Sequence, residues 1–216
     1  MKATDELPDS EAGRLLFAQE CRFFAGADRI EALPPPGLPE IAFAGRSNVG
    51  KSSLVNALTR RTTLARVSHT QGRTQQLNFF DLGGRLTLVD MPGFGYARAA
   101  KTKIKAWTGL IERYLRGRQN LRRVCLLIDA RHGATSVDRG FMERLDAAAV
   151  SYQAVLTKID KLKPDELTRR TGELAAELAQ RPAAHPQIIA TSAEDGRGIA
   201  ELRAALATLA EPARFD

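Results

Sequence analysis

Gly45-Arg-Ser-Asn-Val-Gly-Lys51-Ser52 follows a short apolar run, Glu40 to Ala44, and precedes a stretch of helical character, Ser53 to Thr59. The spacing G-x-x-x-x-G-K-S between a strand and a helix is that of a phosphate cradle. Gly45 and Gly50 let the chain wrap closely around anionic oxygens. Backbone N–H groups of Arg46, Ser47, Asn48 and Val49, and the positive end of the helix begun by Ser53, then converge on the phosphates. Lys51 is placed to reach the β/γ-phosphates and Ser52 to offer its hydroxyl to Mg2+. A turn that merely contains two glycines is the competing reading, and the strand-before, helix-after context argues against it.

Outward from the cradle the pattern alternates. Gln76 to Leu82 and Arg85 to Met91 flank Gly83-Gly84, which predicts a hairpin with a two-residue turn. Helical patterns at Lys101 to Arg118, near Asp138 to Ala149 and at Asp165 to Ala179 separate apolar strands at Val124 to Asp129, Tyr152 to Thr157 and Gln187 to Ala190. Ile199, Leu202, Leu206 and Leu209 mark a last helix. This order predicts an α/β fold in three layers, with a mainly parallel six-stranded sheet, one antiparallel edge strand and helices on both faces. Leu33-Pro-Pro-Pro-Gly-Leu-Pro39 sets off an N-terminal extension, residues 1–38, expected to pack on a single domain of residues 39–212, with 213–216 a tail.

Composition is that of a globular chain, 44% hydrophobic and 26% charged, and no apolar run is long enough to cross a bilayer. Asp5, Glu6, Asp9 and Glu11 replace the apolar core of a secretory signal, so the expected location is the cytoplasm, without membrane attachment. Cys21 and Cys125 are read as reduced, structural thiols; His69, His132 and His185 have no spacing that suits zinc. The net charge of +7 is unevenly spread: residues 45–123 carry 16 Lys/Arg against 3 Asp/Glu, while the flanking segments are acidic. Within residues 98–123, Arg98, Lys101, Lys103, Lys105, Arg113, Arg116, Arg118, Arg122 and Arg123 face Glu112 alone. Such a run beside a phosphate site favours a polyanionic partner, RNA before membrane, because no amphipathic apolar face accompanies it.

Three further stretches turn a phosphate cradle into a guanine-nucleotide site. Asp90-Met91-Pro92-Gly93 ends the second hairpin strand, where the carboxylate can hold Mg2+ through water and the Gly93 N–H can meet the γ-phosphate. Thr157-Lys158-Ile159-Asp160 follows another strand. Asp160 can accept from guanine N1–H and from its exocyclic amine, which adenine cannot supply, while the Lys158 stem lies over the ring. Thr191-Ser192-Ala193 follows the last strand, with the Ala193 N–H aimed at guanine O6. Between cradle and Asp90, the polar loop Ser68 to Gln76 contains Thr70 and Thr74, one of which would supply a second protein oxygen to Mg2+. A P-loop kinase acting on a small metabolite would explain the cradle but leave Thr157 to Asp160 without a role.

Taken in order, these motifs resemble the translation-factor-type GTPases. Glu40 to Leu58, Gly72-Arg73-Thr74-Gln75 with Asn78-Phe-Phe80, Asp90 to Ala97, Trp107 and Asp129-Ala-Arg-His132 are similar to the EngB family of bacterial ribosome-biogenesis GTPases. The resemblance implies a P-loop NTPase fold of Ras-like type that binds GTP/GDP and Mg2+, and a role in assembling the large ribosomal subunit with a link to cell division and septation. The expected partner is the large ribosomal subunit, its RNA and proteins, met by a monomer through the basic region 98–123; the alternative is a switch that acts on protein partners of septation without direct RNA contact. The resemblance selects Thr74 over Thr70 as the Mg2+ ligand beside Ser52 and Asp90, and brings Gly72, Arg73, Gln75 and Gln76 to the nucleotide. One position departs from the pattern: Gln71 stands where proline usually precedes Gly72. Lys51, Asn48, Thr74 and Gly93 are the expected catalytic set. Phe94 occupies the place where many Ras-like proteins orient water with glutamine, so hydrolysis is expected to be slow. Asn48 is expected to bind K+ beside the phosphates, as in GTPases similar around this loop.

Overall fold

Every residue of Glu40–Gly45 is buried, as expected of a strand with helices on both sides. In the computed structural model, which describes residues 10–61, 76–94 and 101–212, this strand, β2, is the middle of a seven-stranded sheet ordered β1-β3-β4-β2-β5-β6-β7. The strands are β1 Cys21–Ala27, β3 Leu77–Leu82, β4 Leu86–Asp90, β5 Leu121–Asp129, β6 Tyr152–Thr157 and β7 Ile189–Ala190. The helices are α1 Ser10–Ala18, α2 Lys51–Thr59, α3 Lys101–Gly117, α4 Ser136–Ala147, α5 Pro164–Leu178 and α6 Ile199–Ala207. β2 pairs in parallel with β4 and β5, β5 with β6, and β6 with β7.

The sequence predicts six strands and the described residues form seven. The additional one, β1, comes from the N-terminal segment and pairs antiparallel with β3. β3 also runs antiparallel to β4. The reversed strand is therefore one place in from the edge, and the edge is β1. Gly83 and Gly84, both at positive φ (60° and 64°), make the tight β3–β4 turn that the paired glycines predict.

Successive residues of the central strands point to opposite layers. Ile41 and Phe43 of β2 and Cys125 and Leu127 of β5 meet Leu16 and Phe17 of α1, Leu54 and Leu58 of α2, and Leu202 and Leu206 of α6. Ala42, Ala44, Val124, Leu126 and Ile128 face the other way, onto Leu110, Ile111 and Tyr114 of α3, Phe141 and Leu145 of α4, and Leu174 and Leu178 of α5. Two apolar layers thus hold the carboxyl ends of β2, β4, β5, β6 and β7 along one rim, where ligands of open α/β sheets bind.

Candidate functional site

The cradle leaves β2 at Gly45 and returns to helix at Lys51. Asn48 and Gly50 take left-handed backbone (φ 64° and 103°), which curls the loop; at φ 103° a side chain would strain Gly50. Leu54 N–H donates to the Gly50 carbonyl (2.9 Å), so the helix axis starts at the cradle floor. The next loop is fastened to it. Ser47 N–H donates to the Phe94 carbonyl and Phe94 N–H to the Gly45 carbonyl, both at 3.1 Å. Gly93 lies so close to Ser47 that a β-carbon there would sit 3.0 Å from the Ser47 hydroxyl. The Phe94 ring stacks on Phe141 of α4, centroids 4.7 Å apart, and is buried in the core. A phenyl ring held in the core in this way has no polar atom with which to orient water.

Asp90, the last residue of β4, forms a buried ion pair with Lys51, the first residue of α2. Opposite charges at this depth stabilise each other strongly only in good geometry, and here the pair holds the two loops expected to share a metal and the terminal phosphates at one point. Ser52 and Ser53 follow in the first turn of α2, and Gln76 directly precedes β3, its amide donating to Asn78 Oδ1 (2.8 Å). Gly72, Arg73, Thr74 and Gln75 lie outside the described residues.

On the far side of the cradle, Thr157 closes β6 and donates its hydroxyl to the Val49 carbonyl (2.7 Å). Lys158, at φ 60°, sends its ammonium to the Asn48 carbonyl (2.6 Å) and to Asp129 Oδ2 (2.8 Å). Ile159–Lys161 forms a 3-10 turn with Ile159 buried. Asp160 is partly exposed, accepts from the Ser192 hydroxyl at 2.9 Å and pairs with Lys161 at 2.9 Å. The Lys161 ammonium, helped by Ser192, keeps the Asp160 carboxyl below its ordinary range, so it is present as the double acceptor that a guanine edge requires. Thr191 and Ser192 are buried; Thr191 bonds the Leu156 carbonyl through both N–H (2.7 Å) and hydroxyl (2.8 Å), and Ser192 Oγ accepts from the N–H groups of Glu194 and Asp195. Ala193 follows at the exposed rim.

Asp129, missed by sequence reasoning as a site residue, is the acceptor that fixes Lys158. Its signal was its place at the carboxyl end of a core strand, the same place Asp90 holds on β4. Conversely, two of the basic residues counted toward a polyanion surface turn inward: Arg118 is consumed by Glu40 and Arg123 donates to Gln153 (3.1 Å). Arg113, Arg116 and Arg122 are exposed, while Arg98 lies outside the described residues.

A rim with a phosphate cradle at its centre and a donor-matched carboxylate beside it defines a P-loop GTP-binding protein, and the chain is a GTPase of that class. The family described as 50S ribosome-binding GTPases matches residues 40–158. A probable GTP-binding protein EngB of Granulibacter bethesdensis is 60% identical over 201 residues, covering 93% of this chain and 90% of that protein. The one from Rhodospirillum rubrum is 59% identical over 207 residues, 94% and 90%. The chain belongs to the EngB family of GTP-binding proteins. Among solved structures, a probable GTP-binding protein EngB superimposes with TM-score 0.63 at 24% identity over 79% of this chain and 97% of that one. Era in complex with MgGDPNP and a fragment of 16S ribosomal RNA gives 0.61 at 18% identity over 83% and 59%. At such identities the likeness is one of fold. Among the described residues no helix is long and apolar enough to cross a membrane.

Proposed function

We propose that this GTPase is a nucleotide-dependent switch in assembly of the large ribosomal subunit, with slow hydrolysis of its own and a need for it in normal cell division. The observation that carries the switch is the fastening of the Asp90–Phe94 loop to the phosphate cradle through Ser47, Gly45 and Lys51. What occupies the cradle is felt directly by the chain that continues from Phe94 into the basic region. The description of the matched family supports the large subunit as partner, and the exposed Arg113, Arg116 and Arg122 supply charge for ribosomal RNA. The link to septation rests on the family resemblance alone.

The donor set fits Mg2+: Ser52 hydroxyl and Asp90 carboxylate are hard oxygens at adjoining ends of α2 and β4. With Thr74 they would hold the ion, which when bound neutralises charge on the β/γ-phosphate oxygens. Lys51 would bind those same oxygens, and Gly93 N–H the γ-phosphate. Asn48, whose side chain is exposed on the loop, would hold K+. Asp160, Ser192 and Ala193 would read guanine, with Gly45 to Ser53 binding the phosphates.

Titration with fluorescent GDP, GTP and ATP analogues tests the base site. Guanine selectivity that moves to xanthine nucleotide in Asp160→Asn is the expected result; equal ATP binding would sink the reading. Co-sedimentation with large subunits tests the partner: more protein is expected to travel with the subunits in a non-hydrolysable GTP analogue than in GDP, and less as salt rises. Turnover should be faster in KCl than in NaCl at matched ionic strength; equal rates would remove K+ from the site.

A further inference from the structure

The turn that follows β5 is built around one carboxylate. Asp129 Oδ1 accepts from Arg131 Nε (2.9 Å) and from its backbone N–H (3.1 Å), and Oδ2 accepts from Arg131 Nη2 (2.7 Å) and from Lys158 Nζ (2.8 Å). The Asp129 carbonyl accepts from the N–H groups of His132 and Gly133, both at 3.0 Å, which closes the turn tightly. The pairing of β5 with β6 sets Asp129 opposite Thr157, one residue before Lys158. The Lys158 stem passes over the cradle at Gly50, with Cε 3.6 Å from where a β-carbon would be. Its ammonium ends between the Asn48 carbonyl and Asp129. Burial pushes the Asp129 carboxyl up, but the Arg131 and Lys158 hydrogen bonds outweigh it and hold the group below the usual carboxylate range.

A lysine beside a polyphosphate has a competing destination. Its ammonium is attracted to the phosphate oxygens, and four rotatable bonds allow it to go there. A charge-assisted acceptor on the opposite side removes that freedom. We infer that Asp129, clamped by Arg131, is a positioning residue of the guanine-nucleotide site: it holds the Lys158 ammonium between strand β5 and the phosphate loop, so that the lysine stem forms a fixed wall against the base. Arg131 contributes by saturating the carboxylate from the solvent side. This rests on the guanine-site reading of Lys158 and Asp160 given above.

The proposal makes Asp129 act through Lys158 and leaves the reading of the base edge to Asp160. The test is a double-mutant cycle on GDP affinity with Asp129→Asn, Lys158→Met and the double variant, with IDP, which lacks the exocyclic amine, titrated in parallel. Asp129→Asn is expected to weaken GDP roughly tenfold, the scale of a charge-assisted hydrogen bond. Two further results are expected. The loss disappears when Lys158 is already methionine, and the GDP-to-IDP ratio stays at the wild-type value. Additive losses, or a changed GDP-to-IDP ratio, would assign Asp129 a role other than holding Lys158 and overturn the inference, as would unchanged affinity. If Asp129→Asn does not fold, exposed Arg131→Ala replaces it; a smaller loss that vanishes in the Lys158→Met background is expected, and a loss that persists there overturns the inference. Wild type without guanine preference would instead remove the site reading itself.

Discussion

Arg118 lays its guanidinium across both carboxylate oxygens of Glu40, with Nη2 2.6 Å from Oε1 and Nε 2.9 Å from Oε2. Both side chains are almost wholly inside, 6% and 2% exposed. Tyr114 adds its hydroxyl to Oε2 at 3.0 Å and Arg118 reaches the Pro34 carbonyl at 2.7 Å. The end of α3, the first residue of β2 and the proline-rich connector are thereby tied together at the end of the sheet remote from the cradle.

Removing one partner leaves the other as an uncompensated buried charge. Glu40→Ala is therefore expected to cost about 3–5 kcal/mol of folding free energy, read as a lower urea midpoint. GDP affinity of the protein that remains folded should stay close to wild type, since the cradle is at the other end of β2. A loss of affinity without loss of stability would contradict this assignment.

Ser192 is fully buried and its hydroxyl is what orients Asp160 while it receives two loop N–H groups. Ser192→Ala should weaken GDP by about 3–10-fold, the equivalent of one ordinary hydrogen bond. The measurement is a comparative titration with GDP and with pyrophosphate, and only GDP should weaken.

Gly198 precedes α6 at φ 71°, and a β-carbon there would lie 2.0 Å from the Ala190 carbonyl. Alanine cannot be fitted without moving β7 or the Thr191–Ser192 turn. Gly198→Ala is expected to destabilise by more than about 1 kcal/mol and to lower guanine affinity together with stability, seen as parallel falls in melting temperature and GDP binding.

The depressed Asp129 carboxyl gives a pH dependence with a definite sign. An unfolded aspartate takes up its proton near pH 3.9, while the folded one stays ionised to lower pH. Its contribution is whole above about pH 5, begins to fall as the unfolded aspartate titrates, and is lost as pH falls through the folded value. Asp129→Asn should accordingly flatten the acid side of the stability profile, and the gap between wild type and variant should narrow from about pH 5 downward. Denaturant titrations across that range decide it.

Burial pushes the Cys21 and Cys125 thiols up to about 12, with nearby Arg61 and Arg123 opposing the shift. Neither supplies appreciable thiolate near neutral pH. The folded protein should resist iodoacetamide at pH 8 and become labelled at both positions only under denaturing conditions. Rapid labelling of the native chain would show that one of these layers opens.

The central sheet was readable because its determinants are local: apolar runs bounded by polar residues, and a two-glycine turn that favours a tight hairpin. β1 was not. In Cys21–Ala27 only the two ends are buried, Phe23 and Phe24 are about half exposed, and the pairing slips between Phe23 and Ala25, so the segment lacks the alternation that marks a half-buried strand. The cradle, Asp90 and the Thr157–Asp160 stretch announced themselves by spacing. Asp129 did not, because its partner Lys158 is brought beside it only by the β5–β6 register. Charge counting likewise treated Arg118 and Arg123 as surface; Arg118 turns inward because Glu40 of β2 passes beneath the end of α3, and Arg123 because the β5–β6 pairing brings Gln153 within reach.

Helix α1 packs against α6, and Gly13 comes so near Ala204 that a β-carbon would lie 2.6 Å from the backbone nitrogen. The first helix of the described residues thus finds its partner in the last of them. While the chain is being made, Leu16, Phe17 and the helical face of α2 wait with their apolar surface uncovered until α6 has emerged. Completion of the layer that supports the phosphate loop therefore waits for α6 to be made, and a chain stopped between residues 193 and 199 carries every nucleotide-binding motif yet exposes the greasy flank of its own P-loop helix.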